Sequence, residues 1–387
     1  MADWISWRGS RPVSAGVAPV RVVACSLTSR MTSGEGSISR PQLETSSHEA
    51  ELTQPEGAPR QSKLGGRITS RAAAASRRGP TLRFVALAVL LAAGAVERPS
   101  FLAEHSLMSV LLAVAPVAAL STGEAFVMIR GKFCDLSVGA TASAAAVVAV
   151  WLSPHGAVVA LLGALAVGLA VGLVNGFAVA VLNGNAIIVT LGMASVVSAI
   201  DLGVSGGRNL SVSNGQLSNI GSSLVAGVPL PVIITAVVVV TASIWFSRAQ
   251  WGRHLALAGD NERAAQIAGV SVRRSTMLAF VLCACFSAFG GYILATYVGN
   301  LNFTVEASTA LPAIAGTVLG GISLFGGAGL PWYALLGAVL LGYFDNVLLV
   351  LGLSPYQEEI VEGLLVIGVV YLTERISFGK ETRRATF

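Results

Sequence analysis

From residue 82 onward this 387-residue chain is built of apolar runs about 20 residues long, separated by short polar breaks. That recurrence constrains the fold more than any other feature. A helix crossing a ~30 Å hydrocarbon core needs about 20 mostly apolar residues. Helices also satisfy their own backbone hydrogen bonds, which lipid cannot do for them. Ten segments fit: 82–96, 106–129, 136–153, 156–182, 186–204, 230–247, 275–296, 308–325, 332–352 and 356–373. They predict an all-α polytopic membrane protein with about ten transmembrane helices in a lipid bilayer. Charged residues are 12% of the chain, about half the ~25% of soluble globular chains. A soluble protein of this size could not cover its surface with so few charges.

The formal net charge of +5 invites a nucleic-acid reading, which its distribution removes. Residues 1–83 hold 12 Lys/Arg and 6 Asp/Glu, leaving 13 and 14 for the rest. The body is near neutral, so no nucleic-acid partner is expected. With the N-terminal tail inside, 11 of the body's 13 basic residues fall on cytoplasmic segments, from Arg130 and Lys132 through Arg248–Arg274 to Arg375–Arg384. The positive-inside rule expects that bias, with both termini cytoplasmic. Residues 1–80, rich in Ser, Gly, Arg, Pro and Ala, read as a disordered basic tail, and Met31 makes 1–30 a candidate start-site artefact. The transmembrane domain is then 81–375, followed by a short cytoplasmic tail over 376–387. No apolar signal core follows the basic start, and six acids in the tail weigh against a transit peptide.

Catalytic motifs are absent or incomplete. There is no HExxH and no GxxxxGK[ST], so neither zinc proteolysis nor P-loop ATP hydrolysis by this chain is expected. No metal-ligand set appears, and Cys283 and Cys285 read as thiols within an apolar run. Gly203-Val204-Ser205-Gly206 resembles an intramembrane serine-protease motif, but His48, His105, His155 and His254 are all poorly placed to serve the serine as base. Asp345 lacks the second aspartate that an aspartyl protease needs. Small residues instead suggest packing, with Gly168, Gly172 and Gly176 on one helix face.

Ionisable residues inside spans are costly and face a cavity or a partner. Glu124 and Asp345 are candidates for a polar path, with structural roles equally open. Asp201 and Glu362, near span ends, are expected at the interface. The segment from Arg248 to Ser275 is long for a connection. Asp260 or Asn261 can cap a short helix there, Glu262 suits its first turn, and Gly269 can end it.

That segment also carries a resemblance. Gly252-Arg253, Ala264-Ala265 and Gly269 are similar to the coupling loop of permease subunits in the ribose-type sugar branch of bacterial ABC importers. Further matches follow in family order: Asp135-Leu136-Ser137-Val138-Gly139, Ile188-Val189-Thr190-Leu191-Gly192, Leu311-Pro312-Ala313-Ile314-Ala315, Val318–Leu324 and Leu351–Tyr356. Arg130–Asp135, Gly184-Asn185-Ala186, Ser198, Asp201, Leu330 and Asp345 depart from the family pattern.

The resemblance implies a permease of the bacterial inner membrane that binds no cofactor itself; ATP and magnesium would sit on a partner ATP-binding subunit. That subunit would dock on a coupling loop comprising Gly252, Arg253, Gly259, Asp260, Glu262, Ala264, Ala265 and Gly269. An extracytoplasmic sugar-binding protein would deliver solute, and a second copy or paralogue would complete the pore. Glu124, Asp135, Ser137, Thr190, Asp345 and Asn346 are the substrate-path candidates. The rival reading is a secondary transporter or channel using Glu124 or Asp345 for ion coupling.

Overall fold

The computed structural model describes residues 103–207, 210–211, 215–298, 300–301 and 309–381, with Val89 and Ala92. The chain divides into two units, Met1–Arg60 and Gln61–Phe387, and every described residue belongs to the second. The expected tail 1–80 and, apart from those two residues, the expected span 82–96 lie outside the described residues.

The described fold is all-α, with four two-residue strands as its only sheet. In order the elements are α1 (Glu104–Ile129), α2 (Val138–Leu152), α3 (Ala157–Ala180), α4 (Ala186–Ser205), β1 (Leu210–Ser211), α5 (Gln216–Ser222), β2 (Leu224–Val225), β3 (Val228–Pro229), α6 (Leu230–Arg248), α7 (Gln250–Asp260), α8 (Glu262–Ile267), α9 (Val272–Tyr297), β4 (Asn300–Leu301), α10 (Ala310–Leu319), α11 (Trp332–Val350) and α12 (Pro355–Glu381). Strand β1 pairs antiparallel with β4, and β2 with β3. Among the described residues seven helices are long and apolar enough to cross a membrane: α1, α2 with its 3₁₀ extension to His155, α3, α4, α6, α9 and α11.

The structure departs from expectation in three places. The segment 308–325 is not one long helix. Its helix α10 has 10 residues, about 15 Å at 1.5 Å per residue, half the hydrocarbon core. Gly320-Gly321 ends it with Gly321 at φ 78°, and the chain stays irregular to Pro331. The long segment from Arg248 to Ser275, expected on the cytoplasmic side, contains two helices, α7 as well as the expected short one. And α12 continues as helix to Glu381, through the first residues of the expected 376–387 tail.

The core is organised around α9, which packs on α1, α2 and α3. Its contact with α3 uses the glycine row that the sequence displays. A Cβ on Gly172 would lie 2.7 Å from Val281 Cα, and one on Gly168 2.5 Å from Ala284 O. Backbones therefore meet where side chains would otherwise separate them, the means by which helices associate in lipid. By contrast α4 and α6 turn large apolar side chains outward, including Ile188, Ile200 and Val237. Those are faces for lipid or for another membrane helix.

Candidate functional site: a clamped helical elbow and a polar cavity

Helix α7 ends at Asp260, and Asn261 breaks the ladder with extended backbone (φ −154°, ψ 107°). The Asn261 side chain then accepts the Ala264 N–H at 3.0 Å and caps α8. Gly269, at φ 80°, closes it: its N–H donates to Gln266 O, and that of Val270 to Ala265 O. The capping expected of this loop is thus present, with Asn261 rather than Asp260 as the cap. Ala265 is buried with Ala258 and Val270 in a small apolar core of the elbow. Ala264 is exposed on the free side, and Ile267 is 89% exposed.

The elbow is clamped to the end of α1. A Cβ on Gly259 would overlap the Ile129 carbonyl oxygen, so only glycine permits this approach. The N–H of Gly327, in the irregular segment after α10, donates to the same Ile129 oxygen at 2.9 Å. Side chains lock the joint. Arg130 Nη1 donates to Ala258 O at 3.1 Å and Nη2 to Glu262 Oε1 at 3.0 Å, while Lys132 Nζ reaches the same oxygen at 2.9 Å. The Arg130 side chain is 1% exposed and that of Glu262 45%. Gly252 is buried on α7, where a Cβ would overlap the Phe246 carbonyl, and Arg253 is exposed and donates to Arg248 O at 3.2 Å. The sequence counts Arg130 only as a cytoplasmic charge; nothing in its spacing reveals that it is buried.

Lys132, hydrogen-bonded to the Glu262 carboxylate, holds that carboxyl below the usual range, with Arg130 adding and partial burial opposing. Burial works against the Arg130 charge, and Glu262 offsets it. A carboxyl depressed on folding stabilises the fold above its unfolded pKa of about 4.3, and the contribution fades as pH falls through the lower native value. Intrinsic-rate-corrected amide exchange at Ala264 and Ala265 is therefore expected to stay flat from about pH 8 to 5 and rise below about pH 4. Glu262→Gln removes the titration and should remove the step. An equal step in that variant would assign it to another group.

Four substrate-path candidates come together in one buried network. Glu124, Asp135, Ser137 and Thr190 are each 0% exposed. Both Glu124 oxygens accept the Asp135 N–H, at 3.2 and 3.1 Å. Asp135 Oδ1 accepts the Ser137 N–H at 2.8 Å and its hydroxyl at 2.6 Å. Thr190 Oγ1 accepts the Leu136 N–H at 3.0 Å, and Asn175 Nδ2 donates to Ser137 Oγ at 2.9 Å. In this fold these groups hold the α1–α2 turn against α3 and α4. The turn's backbone N–H groups have left the helix ladder and need acceptors, which these side chains supply.

Asp345 and Asn346 behave differently. They line a cavity of about 310 Å³ between the N-terminal half of α1, α11 and the start of α12, with Ser109, Val114, Gly342 and Glu358. Asp345 Oδ1, Asn346 Oδ1 and Glu358 Oε1 have no hydrogen-bond partner among the described residues. Asp201 and Glu362, expected at the interface, are buried at 5% and 7% exposure, Asp201 beside Ser143 of α2. Ser205 Oγ engages Leu202 O and the Gly207 N–H, with no histidine among its described partners.

A permease family described as "Branched-chain amino acid transport system / permease component" matches residues 106–370. The chain belongs to this permease family. Its relatives place it in the ribose-type branch of ABC sugar permeases. The permease is 30% identical over 294 residues to the ribose import permease of Haemophilus influenzae, spanning 74% of this chain and 90% of that one. It is 30% identical over 300 residues to the ribose import permease of Escherichia coli K12, 75% and 92% of the two chains. The autoinducer 2 import permease of Enterobacter sp. strain 638 is 32% identical over 297 residues, 76% and 86% of the two chains. No solved structure matches the permease. It is a multi-pass protein of the bacterial inner membrane.

Proposed function

We propose that this permease is the membrane-spanning subunit of an ATP-driven importer that moves a monosaccharide or related polyhydroxy solute inward by alternating access. An ATP-binding subunit, which carries ATP and magnesium, docks on the α7–α8 elbow. An extracytoplasmic binding protein supplies the solute, and a second copy or paralogue completes the pore. The carrying observation is the elbow: a capped two-helix unit clamped to α1 by backbone contact, with Ile267 and Ala264 left on its free face.

Asp345, Asn346 and Glu358, unpaired at the cavity, are groups able to accept hydrogen bonds from hydroxyls. Weak, multi-site contacts of that kind let a solute pass without being trapped. Against the rival ion-coupled reading, Glu124 is fully buried and engaged with the Asp135 N–H.

The docking face is tested by coexpressing the permease with its ATP-binding subunit. Ala264→Trp and Ile267→Asp are expected to lower copurification of that subunit by about tenfold or more, as loss of a central apolar anchor does, with membrane insertion intact. Undiminished copurification in both variants would rule out this face.

A further inference from the structure

The geometry points to a specific mechanical role for the RGK turn at the end of α1. We propose that the ion link Arg130–Glu262–Lys132 carries motion of the α7–α8 elbow into α1, which makes Arg130 and Lys132 positioning residues of the transport cycle. The proposal rests on the reading of the elbow as the ATPase docking segment.

Three observations converge on this link. The first is its position. Glu262 opens α8, and Ala258 lies in the last turn of α7, so Arg130 reaches both sides of the bend in the elbow at once. Its charge is also well sited, a cation at a helix C-terminus and paired with an anion at a helix N-terminus. Any rigid movement of the elbow displaces both contacts together.

The second is continuity. Helix α1 runs unbroken for 26 residues from this joint. Its N-terminal part, from Ser109 to Val117, lines the cavity that Asp345 and Asn346 face. Pro116, near the middle of the helix, donates no backbone hydrogen bond and supplies a point at which the helix can bend. The clamped end and the cavity wall are therefore two ends of one lever.

The third is the character of the contact. The joint is not held by apolar burial alone. Two cations share one oxygen of a carboxylate that is half exposed, while the guanidinium is almost fully enclosed. A geometrically specific ionic contact with one end in water transmits a pull, yet it can open without exposing an apolar core. Removing one partner leaves a buried charge poorly compensated, so the link resists partial rearrangement.

The test uses the whole importer, with its ATP-binding subunit and binding protein, in proteoliposomes. Phosphate release and uptake of a radiolabelled mixture of D-ribose, L-arabinose and D-galactose are measured side by side. Glu262→Gln and Lys132→Glu are expected to keep the ATP-binding subunit attached and hydrolysing ATP, while solute moved per ATP falls about tenfold, within the usual span of coupling energies. Glu262→Asp, which keeps the carboxylate that both cations share, should retain most of that ratio. Glu262→Gln or Lys132→Glu with the wild-type ratio, or Glu262→Asp no better than Glu262→Gln, would overturn the link. So would a loss that merely tracks loss of the ATP-binding subunit.

Absence of ATP-driven uptake by the wild-type importer would instead contradict the proposed function. A second measurement, on the permease alone in micelles, then decides the link. Glu262→Gln is expected to raise amide exchange in both Ala258–Ala265 and the last turn of α1, on the order of tenfold. Unchanged exchange in α1 would overturn the link whatever the importer does.

Discussion

Gly259→Ala is expected to abolish transport while the membrane bundle stays folded and inserted. A single methyl group here does not meet a yielding side chain; it overlaps the carbonyl oxygen of Ile129 and approaches the amide of Gly327. Overpacking against movable side chains costs about 1–3 kcal/mol, and fixed backbone on both sides leaves no cheaper relaxation than lifting the elbow off α1. The bundle core lies elsewhere, around α9, so insertion should survive. Gly192→Ala is the matched control. It sits on α4 with open space where the methyl would go, and alanine favours a helix over glycine by about 0.8–1.0 kcal/mol. Uptake and amide exchange over Ala258–Ala265 read the outcome. Gly259→Ala with uptake within about twofold of wild type would show that the elbow need not be seated on α1.

The second large effect separates groups that the sequence offers as equals. Asp135→Ala removes the acceptor of both the Ser137 N–H and the Ser137 hydroxyl in a site with no exposure. Each buried donor left unpaired costs about 1–3 kcal/mol, so the permease should lose thermal stability and yield. Asp345→Ala removes a cavity-facing carboxyl whose Oδ1 holds no partner among the described residues. Its melting temperature should be unchanged or slightly raised, while uptake efficiency falls about tenfold, the worth of a hydrogen bond to a charged group. Thermal shift and initial uptake rates, measured on both variants, give the comparison. A stable Asp135→Ala protein with a purely kinetic defect would return Asp135 to the solute path.

How much of this was legible beforehand follows from what hydropathy can see. The limits of α4 and α6 agree with the apolar runs to within one residue, because each run is bounded by polar or turn-forming residues such as Asn185 and Arg248. The segment 308–325 is equally apolar, yet only Ala310–Leu319 is helical. Its break depends on glycines in left-handed backbone, Gly321 and then Gly326 and Gly327, which hydropathy does not register. Helix α7 escaped notice because its 11 residues mix Arg253, His254 and Asp260 with apolar ones. The elbow's cap and stop were readable, since Asn261 and Gly269 carry local backbone chemistry. Burial was not. Glu124 and Asp345 look alike as lone acids in apolar runs, and only packing separates the one that holds a turn from the one that faces a cavity. The sign of Arg130 and Lys132 bears only on the side of the membrane expected for them, and their shared partner, Glu262, lies 130 residues or more away.

On the proposed function, this permease moves solute only when an ATP-binding subunit works on the α7–α8 elbow. Accumulation of radiolabelled monosaccharide in proteoliposomes holding the permease, the ATP-binding subunit and the binding protein tests this. The expected result is uptake that requires ATP hydrolysis and is insensitive to collapse of proton and sodium gradients. Uptake by the permease alone, driven by either gradient and abolished when it is collapsed, would contradict it.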